Sequence, residues 1–188
     1  MRALILGGDG FIGWPLALRL SKKGHDVFIV DNFIRRDIDK ELGVDSLTPI
    51  QSIDKRIRTW REITKLNIEF QNIDIANDFD GLNSLFSYFK PDIIFHLAEF
   101  KSAPYSMRSA KHKIKTIGQN VNAANNILSS IIENKLDVHL IHIGTMGVYG
   151  YSSGENTYIP EGYIDADLHF DNSYSEKRNI LYPFNAFL

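Results

Sequence analysis

Short apolar runs, each closed by glycine or a polar turn, alternate along this chain with stretches where apolar residues return every three or four positions. Leu4-Ile5-Leu6 is the first run, and Gly7-Gly8 closes it. From Phe11 to Leu20 the spacing is helical, with Leu16 and Leu20 one turn apart, and Gly24 marks the stop. Val27-Phe28-Ile29-Val30 has the continuous apolarity of a strand buried on both faces. Strand, glycine turn, helix and strand together predict one βαβ unit.

The alternation continues. Ile68-Glu69-Phe70 predicts a third strand and Phe79 to Phe89 a helix. Asp92 to Leu97, announced by Pro91, predicts a fourth strand, Ser109 to Asn134 a long helix, and Val138 to Ile143 a fifth strand ending at Gly144. The expected class is α/β: a doubly wound, mostly parallel sheet with helices on both faces. Two stretches depart from it. Between Asn32 and Leu66 the chain makes an excursion that a minimal crossover does not need. There Ile50, Ile53, Ile57 and Trp60 predict an amphipathic helix on the domain edge, and Arg56, Arg58, Arg61 and Lys65 read as its solvated basic face. Beyond Gly150, the segment from Tyr151 to Leu188 is rich in Tyr, Ser, Asn, Asp and Gly, and is expected to be a loop region.

Composition narrows the function classes. With 188 residues and 44% hydrophobic content, the chain can build a core without staples. It has no cysteine, which excludes disulfides, thiol nucleophiles and cysteine-ligated zinc. The formal net charge of -2 argues against a nucleic-acid binder. No apolar run approaches the ~18 residues of a membrane span. The first strand begins at once, leaving no room for a targeting peptide before it, so a cytoplasmic protein is expected. The six histidines show no metal-ligand spacing; His139 and His142, three apart on a strand, should face opposite ways. No metal is expected.

The sharpest chemistry lies in Gly7-Gly8-Asp9-Gly10-Phe11-Ile12-Gly13. Gly-x-Gly-x-x-Gly and Gly-x-x-Gly-x-x-Gly overlap here, directly after a strand and at the start of a helix, which is the context a dinucleotide-binding turn requires. Glycine permits the tight turn and the approach of backbone to a pyrophosphate, and the helix start offers free N–H groups. Asp31, at the end of the next strand, stands where a carboxylate accepts hydrogen bonds from the adenosine ribose and repels a 2′-phosphate. Arg35 and Arg36 follow closely and pull the other way. The carboxylate carries the greater weight, so NAD is expected rather than NADP.

Several stretches together resemble the extended short-chain dehydrogenase/reductases, the NAD-dependent epimerase/dehydratase group. The resemblance implies a Rossmann domain over residues 1–150, with an insertion at about 32–66, and an active-site loop region over 151–188. It implies a coenzyme site formed by Gly7, Gly10, Phe11, Ile12, Gly13, Asp31, Asn32, Arg36, Asp74, Ile75, Leu97, Ala98 and Asn120. Thr145 then falls at the group's catalytic Ser or Thr.

Within that group, four stretches resemble the UDP-sulfoquinovose synthases. These are Gly8-Asp9-Gly10 with Gly13-Trp14, Asp31-Asn32 with Arg35-Arg36, Ser102-Ala103-Pro104-Tyr105-Ser106-Met107, and Gly144-Thr145-Met146-Gly147 with Tyr149-Gly150. The implied reaction takes UDP-glucose and sulfite to UDP-sulfoquinovose through a 4-keto sugar on tightly held NAD. Thr145 and Glu99 would be catalytic, and Lys101, Tyr105, Ser106, Thr145 and Met146 would face the substrate. The Asp-Glu pair that sugar-nucleotide dehydratases place after the Thr is missing, since Met146 and Gly147 stand there. A Tyr-x-x-x-Lys should follow Thr145, but none occurs; Tyr174 and Arg178 have the spacing without the lysine, and Tyr182 to Leu188 looks like the approach to the motif. The C-terminal sugar-nucleotide subdomain of the group is not seen either. A UDP-hexose 4-epimerase or dehydratase, or a nucleotide-binding module without catalysis, remains open at this point, as does a homodimer.

Overall fold

The computed structural model describes residues 1–100, 103–144, 162–170 and 174–182. Over the first 143 residues, one compact unit forms around a five-stranded parallel sheet of order β3-β2-β1-β4-β5. The strands are β1 (Arg2–Leu6), β2 (Asp26–Asp31), β3 (Glu69–Asn72), β4 (Ile93–His96) and β5 (His139–His142). β1 pairs with β2 from Arg2↔Asp26 to Leu6↔Val30, and with β4 from Ala3↔Ile93 to Leu6↔His96.

The helices fall on both faces because β1 is apolar without interruption. Leu4 and Leu6 point into one cluster with Phe28, Val30, Leu82, Phe86, Ala123 and Ile127. That face is covered by α4 (Phe79–Phe89) and α6 (Ala110–Glu133). Ile5 points the other way, into a cluster with Ala17, Val27, Ile29, Ile53 and Ile57, carried by α1 (Gly13–Lys22) and α3 (Ile53–Thr64). Alternate residues of one strand thus feed two cores. The sequence places α4 at its observed bounds. It extends α6 by one residue at each end, and Ser109 is in fact the cap, accepting from the His112 amide.

Three expectations change. The excursion holds two helices, not one: α2 (Ile34–Leu42) precedes α3, with Ile34, Ile38 and Leu42 one turn apart among six charged residues and Ile38 buried. The face of α3 is not uniformly solvated. Arg58, Arg61 and Lys65 are exposed, but the Arg56 side chain is only 15% exposed and is spent on a specific ion pair, described below. The third change lies in a second unit, Gly144–Leu188. There β6 (Gly162–Phe170) and β7 (Tyr174–Tyr182) form an antiparallel hairpin, paired from Gly162↔Tyr182 to Phe170↔Tyr174, where a loop was expected. Apolar residues do alternate at Ile164, Ala166, Leu168 and Phe170, a strand period that the intervening Asp and His disguise in composition. Tyr174 and Arg178 both lie on β7, about 13 Å apart along an extended chain, so they cannot act as the one-turn neighbours of a helical Tyr-x-x-x-Lys.

A short α5 (Ala103–Ser106) connects the loop after β4 to α6. Phe86, under the sheet, is the largest fully inaccessible side chain among the described residues. Phe86→Ala is expected to destabilise the chain by about 3–5 kcal/mol, read from denaturant midpoints with an unchanged slope.

Candidate functional site: the C-terminal edge of the sheet

The strand order reverses between β1, which leads to β2 and β3, and β4, which leads to β5. Such a switch point opens a crevice beyond the carboxyl ends of the strands, where ligands of open α/β sheets bind. Most of the site residues named from sequence gather at this edge. A concavity of about 470 Å³ lies at the opposite end, by Arg2, His25 and Asp26, away from these groups.

The glycine turn is built by close backbone approach. Gly7 has φ +90, and a Cβ there would lie 2.7 Å from the Leu97 carbonyl carbon and 2.8 Å from the Ala98 nitrogen. The turn is thereby pressed against the Leu97–Ala98 peptide at the end of β4. A Cβ on Gly13 would fall on the Gly7 carbonyl oxygen, so α1 can start this close to the strand only with glycine there. The Ile12 cap supplies no side-chain hydrogen bond. Of the amides that open α1, that of Trp14 donates to the Gly10 carbonyl at 3.2 Å and Pro15 has none, which leaves the Gly13 amide at the positive end of the helix. Phe11 and Ile12 are exposed beside it.

Asp31 closes β2 next to this turn. Its Oδ2 accepts from the Asp9 amide at 2.9 Å and its Oδ1 from the Phe33 amide at 2.8 Å. Burial pushes its pKa above the usual aspartate value, against the pull of those two amides. Asn32 caps the start of α2 by accepting from the Ile34 amide at 3.0 Å, while Phe33 takes a left-handed backbone with φ 58.

Asp9, inside the turn, is the feature that sequence reading passed over. Arg36 grips it with two hydrogen bonds, Nε to Oδ2 at 2.6 Å and Nη2 to Oδ1 at 2.8 Å. Arg56 reaches the same carboxylate from α3, and its guanidinium lies 4.6 Å from the Trp14 ring centroid. The Asp9 side chain is 8% exposed.

Farther along the edge, Asp74 and Ile75 follow β3. The Asp74 carboxylate accepts from the Ala76 amide at 3.1 Å and from Asn77 at 3.0 Å, and Ile75 is buried. Asn120 on α6 braces the loop after β4 by a reciprocal pair: the Phe100 amide donates to Oδ1 at 2.7 Å and Nδ2 donates to the Phe100 carbonyl at 3.2 Å. Tyr105 is buried between Phe100 and Ile38, and its hydroxyl donates to Glu41 Oε2 at 2.7 Å. It joins α5 to α2, the packing role open to a Tyr here. Ser106 ends α5, partly exposed. Lys101, Thr145 and Met146 lie outside the described residues.

Glu99 sits in a cluster no sequence spacing announces. His96 and His142 are register partners on neighbouring strands, 46 residues apart in sequence but side by side in the sheet. Glu99 Oε1 lies 3.1 Å from His96 Nε2 and 3.6 Å from His142 Nδ1. His96 is 1% exposed, and among the described residues neither of its ring nitrogens makes an aligned hydrogen bond, so its contact with Glu99 is mainly electrostatic. The three donor atoms fall within 4.8 Å of one another, a spacing that could hold a cation, although no ligand spacing in the sequence suggests one. The contact with His96 holds Glu99 below the usual carboxylate range, against the opposing effect of burial.

The profile of the NAD dependent epimerase/dehydratase family matches residues 3–178. The chain belongs to that family. Among curated family members, the UDP-sulfoquinovose synthase of Spinacia oleracea, labelled chloroplastic, is 46% identical over 163 residues, 87% of this chain and 33% of the relative. The UDP-sulfoquinovose synthase of Sulfolobus acidocaldarius is 37% identical over 187 residues, 99% of this chain and 45% of the relative. The chain thus spans less than half the length of these relatives. Among solved structures, the UDP-glucose 4-epimerase of Stenotrophomonas maltophila, with bound NAD and formylated UDP-arabinopyranose, superposes with a TM-score of 0.63 at 22% identity, over 84% of this chain and 40% of that one. That likeness is one of fold. Among the described residues no helix is long and apolar enough to cross a membrane.

The lowered pKa of Glu99 makes a prediction. A carboxylate depressed in the folded state contributes stability that is present above its unfolded value and lost as pH falls through the folded one. Glu99→Gln is expected to be less stable than the parent near neutrality, with the gap closing as pH drops below the ordinary glutamate value of 4.5. Thermal unfolding across pH checks this; a gap that stays constant on acidification contradicts it.

Proposed function

We propose that this chain holds NAD and belongs to an enzyme that converts UDP-glucose and sulfite to UDP-sulfoquinovose. The observation that carries the reading is the 46% identity to a UDP-sulfoquinovose synthase over most of the chain. The residues fit the coenzyme on physical grounds: an uncapped helix start, glycines at the points of closest approach, and a carboxylate at the end of β2. In this proposal Gly7, Gly10, Phe11, Ile12 and Gly13 receive the pyrophosphate and Asp31, with Asn32 and Arg36 beside it, the adenosine ribose. Asp74 and Ile75 border the adenine, and Leu97, Ala98 and Asn120 border the far ribose.

Bound NAD would accept a hydride from the sugar and return it. The chain's own part is positional and acid–base. Asp31 accepts hydrogen bonds, and each of its oxygens keeps a lone pair after serving a backbone amide. Asn120 fixes the loop that carries Glu99. Glu99, whose pKa the His96 contact lowers, is proposed as an active-site carboxylate at the sugar end, and Thr145 is proposed to hydrogen-bond the 4′-hydroxyl. Ser106, Lys101 and Met146 complete the substrate side of the proposal, with Tyr105 placing α5 through its bond to Glu41 and Lys101 drawing in the sulfite anion. A cytoplasmic location and a homodimer belong to the same reading. For the dimer, α6 turns an apolar stripe to solvent, from Val121 at 61% exposed to Ile132 at 74%.

The chain contains no Tyr-x-x-x-Lys. A free tyrosine, with a pKa of about 10, is a poor base at neutral pH. Incubated with NAD, UDP-glucose and sulfite, the 188-residue chain is therefore expected to form no UDP-sulfoquinovose by mass spectrometry. A longer protein that joins it to a Tyr-x-x-x-Lys segment is expected to form it only with sulfite present. In that protein Thr145→Ala should slow turnover roughly 10²–10⁴-fold. Conversion of UDP-glucose to its 4-epimer without sulfite would instead favour an epimerase.

A further inference from the structure

Three charged side chains meet at the coenzyme turn, and a glycine-rich loop needs none of them. Asp9 stands between Gly8 and Gly10 with its side chain almost fully buried, and Arg36 from α2 and Arg56 from α3 both close on it. Its own amide donates to Asp31, so this carboxylate and the one proposed to hold the ribose are direct neighbours. The local balance is two carboxylates against two guanidiniums.

Two arginines this close to a ribose site would ordinarily attract a phosphate. Guanidinium is a fork of donors that matches phosphate as well as carboxylate. Here the match is already taken. Arg36 spends Nε and Nη2 on both oxygens of Asp9, and Arg56 is held between the same carboxylate and the Trp14 ring. Without Asp9, Arg36 would be a free bidentate donor 29% exposed beside Asp31.

We infer that Asp9 is a specificity-determining residue, an internal phosphate mimic that occupies Arg36 and Arg56 and so denies them to the 2′-phosphate of NADP. The inference rests on the NAD reading above and goes beyond it. Asp31 repels the extra phosphate directly, while Asp9 removes the partners that would otherwise offset that repulsion.

The test is calorimetric titration of the 188-residue chain with NAD and with NADP, as wild type, Asp9→Asn, and Asp9→Asn with Arg36→Gln. Asp9→Asn is expected to raise the affinity for NADP relative to NAD by about 10-fold, the scale of one charge-assisted hydrogen bond. Adding Arg36→Gln is expected to abolish that gain. A merely structural Asp9 would weaken both coenzymes alike; an unchanged ratio overturns the inference while leaving the NAD reading intact. A wild type that binds neither coenzyme sinks the NAD reading and this inference together. Should Asp9→Asn unfold because Arg56 is left buried without a partner, Asp9→Asn with Arg56→Gln removes that guanidinium and carries the same test, since Arg36 is still released.

Discussion

The central strand β1 must be covered on both faces. Ala3 to Leu6 are wholly inaccessible, paired on both sides and packed above and below. That double burial needs cover on both faces, and the parallel pairing of β1 with β2 and β4 supplies it through helical crossovers. The helices then define two cores that share one sheet. The same constraint makes the site. A strand buried to its last residue must turn sharply to release the chain, and Gly7 and Gly13 let it do so with α1 starting against the strand end.

The excursion between β2 and β3 takes its place in this scheme through two arginines. α2 and α3 bury few residues of their own, with Ile38, Ile53 and Ile57 as their buried apolar contribution. Polar contacts finish their placement. Trp60 donates to Ser21 on α1 at 3.1 Å, and Arg36 and Arg56 converge on Asp9. A buried carboxylate with two guanidiniums is a costly object to leave half made, because removing one member strands the charge of another. The excursion and the glycine turn are thus mutually dependent.

What could be read from the sequence follows the range of each interaction. The parallel sheet, α4 and α6 were legible because continuous apolar runs and the 3.6-residue period are local signals. So was the glycine turn after β1, which lies with Asp31 within one βαβ unit. α2 was not, because its short stripe of Ile34, Ile38 and Leu42 stands among six charged residues. The hairpin of β6 and β7 was hidden by polar residues between its alternating apolar ones. Arg56 read as solvated because nothing near it in sequence names Asp9, 47 residues away. His96 and His142 likewise meet only through strand register. The family resemblance supplied the roles of Thr145 and Lys101, and these lie outside the described residues.

We propose that the turn after β1 and the end of β2 form one coenzyme site. Backbone amide NMR of the 188-residue chain during titration with NAD tests it most directly. The account predicts that the largest saturable shifts fall on Gly8 to Gly13 and on Asp31 to Phe33, with smaller ones at Leu97 and Ala98. Saturable shifts confined to other parts of the sheet, or none at millimolar NAD, would contradict it.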